Sequence, residues 1–114
     1  MQINKSDFNV VPFFLSLFLG LPIFAFAQDP YTIVIKDHQF TPFQLTIPAG
    51  QKVKLTVEND DATVEEFESF DLNREKIVGG NKKIIVFIGL LGKGTYKYFG
   101  DFHQKTAQGT ILVQ

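Results

Sequence analysis

The sequence predicts an all-β domain, and three observations carry that expectation. Downstream of an apolar N-terminus, short runs alternate apolar and polar side chains with period two. Clusters rich in Gly, Pro, Asn and Asp separate these runs roughly every ten residues, and no stretch has the apolar spacing of a helix. About seven strands at that spacing, in a chain of 114 residues, specify one Greek-key β-sandwich.

The elements follow in order. Tyr31 to Ile35 is β-branched and aromatic, and Gln44 to Ile47 alternates until Pro48-Ala49-Gly50 stops it. Lys52 to Glu58 alternates strictly, with Val53, Leu55 and Val57 facing inward. Asn59 to Ala62 is a turn, Val64 to Phe70 a strand, and Asp71 to Arg74 a short helical turn capped by Asp71. Gly79-Gly80-Asn81 precedes a strand over Lys82 to Ile88, and Gly89 to Gly94 forms a loop. Thr95 to Phe99 and Gly109 to Gln114 complete the set.

Composition narrows the function. Net charge is −1, which excludes a strongly basic nucleic-acid binder, so no nucleic-acid partner is expected. No phosphate-cradling loop or partnered nucleophile is present, which argues against an enzyme. The chain has no cysteine, so disulfides, thiolate metal sites and a lipid-anchored lipoprotein are excluded. Val10 to Ala27 carries no charge and ends in Ala25-Phe26-Ala27, with small residues where a signal peptidase reads. Residues 1–27 are therefore expected to be an export signal and residues 28–114 the mature domain, periplasmic or secreted. Such a domain would not span the membrane.

Particular residues then carry a family resemblance. Phe40-Thr41-Pro42, Leu45 to Gly50 and Val53 to Asp60 resemble the opening half of a cupredoxin. Gly94 to His103, followed by Ala107 to Val113, is similar to the strand, ligand loop and final strand of that fold. The resemblance implies a metal site, yet blue-copper sites need two histidines and a thiolate, commonly with an axial methionine. Here Gly100 stands at the cysteine position, Ala107 at the methionine position and Glu65 at the first histidine position. His103 alone matches, and Met1 is the sole methionine.

Hard donors replace the soft ones. From Glu58 to Asp71 the chain has seven carboxylates and no Lys or Arg. The candidate metal ligands are Glu65, Glu66, Glu68, Asp101 and His103, a set that suits iron or copper(II), with manganese and zinc also compatible. Because a strand alternates faces, Glu66 and Glu68 point one way while Glu65 and Phe67 point the other. Family position favours Glu65, whereas local acidic density favours the Glu66 and Glu68 pair. A solvated acidic edge that discourages strand pairing competes with both. His38 is read as a surface or satisfied histidine, with service to a second metal as its minor alternative. Phe67, Phe70, Phe99 and Phe102 are read as core or loop packing. Arg74 or Lys76 is expected to form salt bridges with the acids.

Within the superfamily, Glu65 to Ser69 with Asp71 to Lys76, joined to Phe99 to His103, is similar to the EfeO-type group of small exported proteins. That likeness implies an accessory role in iron uptake, handling iron or the copper used in iron oxidation, with an inner-membrane iron permease or a periplasmic iron-binding protein as partner. The alternative is a metal-free interaction module that kept the sandwich and lost the site. On family position, His103→Ala should weaken metal binding more than His38→Ala.

Overall fold

The computed structural model describes residues 30–114, and the expected export signal lies outside the described residues. Nine strands form two sheets there: β1 (Thr32–Lys36), β2 (Gln39–Thr41), β3 (Gln44–Ile47), β4 (Val53–Asn59), β5 (Glu65–Ser69), β6 (Arg74–Val78), β7 (Lys83–Ile88), β8 (Gly94–Phe99) and β9 (Gln108–Val113). One sheet has the order β2-β1-β4-β7 and the other β3-β9-β8-β5-β6. The pairs β1/β4 and β3/β9 are parallel, and the rest are antiparallel. The all-β sandwich is as expected, with two more strands than the turn spacing indicated.

Alternation makes the core. Ile33 and Ile35, then Val53, Leu55 and Val57, then Val86 and Ile88 point inward from one sheet, against Phe67, Tyr98, Ile111 and Val113 of the other. Each such side chain contributes about 1.5–3 kcal/mol by leaving water. Phe40, Phe67 and Tyr98 form an aromatic layer, with ring centroids 4.9 Å (Phe40–Tyr98), 5.0 Å (Phe67–Tyr98) and 6.4 Å (Phe40–Phe67) apart. Gly109 lies beside it, where a Cβ would come within 2.3 Å of the Tyr98 ring.

The two unanticipated strands are sheet-edge strands. β2 has only three residues. β6 reads Arg-Glu-Lys-Ile-Val with mostly exposed side chains, the charged pattern that protects an edge from pairing with other chains. Where a helical turn was expected, residues 70–73 form the tight connection of the β5–β6 hairpin, with Asn73 at φ +55°. Arg74 does not meet an acid. Its guanidinium donates to the carbonyls of Leu72, Asn73 and Phe87, and among the described residues no Lys or Arg forms an ion pair with a carboxylate.

Candidate metal centre

The centre begins with a two-residue hairpin turn. Lys36 pairs with Gln39 across β1 and β2, so only Asp37 and His38 connect them, and both take positive φ (+52° and +59°). A connection this short requires that conformation at both positions, and Asp and His tolerate it better than most residues. Asp61 holds the turn from outside. Its Oδ1 accepts the Asp37 amide at 2.7 Å and its Oδ2 the His38 amide at 3.0 Å.

Asp61 is itself braced by Asn59, which is fully buried. Asn59 Oδ1 accepts the Asp61 amide, and its Nδ2 donates to the carbonyls of Thr63, Val78 and Gly79. Burial alone would raise the Asp61 pKa. The His38 and Asp37 amides, the Glu65 side chain and the His38 charge outweigh it and hold the carboxyl below its ordinary value.

β5 supplies the acid. Glu65, Phe67 and Ser69 face inward, and Glu65, at 1 % exposure, sits at the strand's start beside the β1–β2 turn. His103 arrives from a 3₁₀ turn over Asp101–His103, pinned by His103 N to Gly100 O and by Ala107 N to His103 O. Thr106 Oγ1 donates to the His38 carbonyl at 2.6 Å, which ties the two histidine loops together.

Both imidazoles meet the one carboxylate. His38 Nδ1 lies 2.6 Å from Glu65 Oε2 and His103 Nδ1 lies 3.0 Å from Glu65 Oε1. The rings stack with centroids 3.5 Å apart and 13° between planes. The hydrogen bond to Glu65 raises the His38 pKa most; desolvation opposes it, and the charges of Glu65, Asp61 and Asp37 add to it.

Among the described residues Glu65 meets no Lys or Arg, and the two imidazoles are what face its oxygens. Two imidazole nitrogens and a carboxylate, all within 4.8 Å of one another, make a ligand set for a borderline ion such as copper(II), iron or zinc. The side chains of His38 and His103 are 41 % and 33 % exposed, so an ion there would be reachable from solvent.

The outer face of β5 carries a different group. Glu66 and Glu68 point away from the core, and the 100–103 segment folds over them so that Glu66, Glu68 and Asp101 each offer an oxygen within 4.8 Å of the others. Burial pushes the Glu66 pKa up, and the charges of Asp101 and Glu75 add to it, against hydrogen bonds from Glu68 and the Asp101 amide. Burial also raises Glu68, to about 7, with Glu75 directly opposite on β6 and Glu66 beside it contributing.

The five residues read from sequence as one ligand set therefore divide: Glu65 and His103 inside, Glu66, Glu68 and Asp101 outside. His38, read as a surface or satisfied histidine, joins the inner group. The signal that reveals it is the pair Asp37-His38 between the Tyr31–Ile35 run and Gln39-Phe40-Thr41, a two-residue turn lacking the usual glycine. Of the phenylalanines read as packing, Phe67 is core, whereas Phe70 is 77 % and Phe102 45 % exposed.

A family model for the cupredoxin-like domain matches residues 9–113. The chain belongs to the cupredoxin-like family. Its relatives include the uncharacterised protein RP394 of Rickettsia prowazekii (strain Madrid E), 37 % identical over 99 % of this chain and 98 % of that one. Among solved structures, this cupredoxin-like fold is similar to a novel purple cupredoxin from Nitrosopumilus maritimus (TM-score 0.59, 22 % identity, covering 74 % of this chain and 99 % of that one). It is also similar to auracyanin A, a "blue" copper protein from Chloroflexus aurantiacus (TM-score 0.62, 19 % identity, 73 % and 96 %). At these identities the likeness to solved structures is one of fold.

Proposed function

We propose that this cupredoxin-like protein is an exported metal-binding accessory protein that holds copper(II) or iron at His38, Glu65 and His103. In this reading it supports iron uptake outside the inner membrane by carrying or delivering the ion, with an iron permease or an iron-binding protein as the receiving partner. The observation that carries the proposal is Glu65: a carboxylate at 1 % exposure whose two oxygens each face an imidazole Nδ1. The resemblance of the acidic segment to EfeO-type proteins supports the link to iron, and the description of auracyanin A as a copper protein supports copper.

A thiolate centre has no place in this reading. The chain has no cysteine, and at Gly100 an added Cβ would lie 2.9 Å from Ala107 Cβ and 3.0 Å from the Glu66 carbonyl oxygen, so the position that resembles the copper proteins' cysteine is closed by packing. Copper(II) bound by imidazole and carboxylate lacks the intense blue band of a copper–thiolate bond.

A metal-free interaction module is the second reading. Protons on both Nδ1 atoms would satisfy Glu65 without any ion, which is the observation in its favour. Equilibrium dialysis of the protein against copper(II), iron(II), iron(III) and zinc separates the two. The metal reading expects one ion held at the inner centre, with affinity falling at least about tenfold in Glu65→Gln and no intense visible band with copper(II). Affinity unchanged by Glu65→Gln contradicts it.

A further inference from the structure

Glu66 is an anomaly for a buried residue. It is 5 % exposed, and its Oε1 is buried without any hydrogen-bond partner, the sole such side-chain atom among the described residues. An acceptor in that state costs about 1–3 kcal/mol, more when charged, so a native structure keeps one only where something else satisfies it. Its neighbours make matters worse, because they are carboxylates. Glu68 lies two residues along on the same face, Asp101 folds over from the 3₁₀ turn, and Glu75 sits opposite Glu68 on β6. Like charges directly across a strand pair are destabilising.

We infer that Glu66, Glu68 and Asp101 form a second cation site, suited to a hard, oxygen-seeking metal ion and separate from the His38–Glu65–His103 centre. Each contributes a carboxylate oxygen, with these oxygens within 4.8 Å of one another, and no nitrogen or sulfur ligand belongs to the group. Such a donor set suits hard ions such as manganese(II), magnesium, calcium or iron(III). A cation among the three places positive charge beside the buried Glu66, whose Oε1 lacks a partner, and offsets the repulsion along β5. The site occupies the solvent side of the sheet, beneath the segment that carries His103 on its other end. Glu65 and Glu66, adjacent in sequence, thus serve two different ions on opposite faces.

The inference does not rest on the inner centre, and the test keeps them apart. Manganese(II) is titrated into the purified protein, and the loss of its free-ion paramagnetic resonance signal is followed. The expected result is binding by the unsubstituted protein and equally by His38→Ala, with affinity at least about tenfold lower in both Glu68→Gln and Asp101→Asn. Glu68 is half-buried and Asp101 exposed, so neither substitution opens the core, and far-UV dichroism verifies the fold. Without metal, both variants should melt at or above the parent temperature, because each removes a repelling charge. Absence of manganese(II) binding in the unsubstituted protein, or affinity unchanged in Glu68→Gln and Asp101→Asn, overturns the inference. Copper(II) binding to Glu68→Gln and Asp101→Asn, measured in parallel, reports on the inner centre.

Discussion

Glu65 and Glu66 are neighbours on one strand, both carboxylates and both at 5 % exposure or less, yet they occupy opposite electrostatic settings. Glu65 faces two imidazoles, one on each oxygen; Glu66 faces Glu68 and Asp101 and leaves an oxygen with no partner. The difference arises from the period of a strand. One step along β5 carries a side chain from the interior, where the histidine turns converge, to the outer face, where acids accumulate. Residue type alone therefore does not define the chemistry of this region; the face does.

The largest effect that separates the two faces should come from Asp61→Ala. That substitution strips the acceptor from the Asp37 and His38 amides, which costs about 1–3 kcal/mol in thermal or denaturant unfolding. Because the turn then ceases to hold His38, copper(II) affinity should fall about 10–100-fold, while manganese(II) affinity at Glu66, Glu68 and Asp101 stays as it was. Equal loss of both metals would mean that the faces are not independent.

A smaller effect is expected from pH. His38, Glu66 and Glu68 all hold their protons more tightly in the folded than in the unfolded chain. Each therefore contributes stability that is complete below its unfolded value, 6.5 for His and 4.5 for Glu, and that is lost as pH rises through its raised folded value, about 7 for Glu68. Asp61 runs the other way, with stability present above its ordinary 3.8 and lost as pH falls below it. The metal-free protein should thus melt at progressively lower temperature from about pH 5 to pH 8. Added metal should reverse the trend, since deprotonated ligands bind it. A melting temperature that rises across this range without metal contradicts the assignment of raised values to these groups.

The smallest effect belongs to Glu75→Lys. It puts a cation opposite Glu68, and should raise the metal-free melting temperature slightly while weakening manganese(II). A fall in melting temperature would show that the acids on the outer face do not repel one another as described.

Much of this architecture was legible in residue order. Strict alternation in Lys52 to Glu58 marked β4 and its inward residues, and the turn clusters separated most of the other strands. β2 and β6 escaped because the signal of a strand is burial of one face, which a three-residue element or a charged edge hardly displays. The site was half legible. Alternation sets Glu65 and Phe67 apart from Glu66 and Glu68 but leaves open which face holds the metal. His38 was missed because its role depends on a hairpin whose second strand went unseen, and on Asp61, whose grip on the turn is a contact 23 residues distant. The expectation that His103 outweighs His38 followed from family position alone, whereas both rings reach the same carboxylate.

Copper(II) paramagnetic resonance of the protein beside His38→Ala and His103→Ala tests that equivalence most directly. With both rings as ligands, the unsubstituted protein should show coupling to two nitrogens, and each variant should show coupling to one and a comparable loss of affinity. Full affinity and an unchanged two-nitrogen spectrum in His38→Ala would contradict the centre.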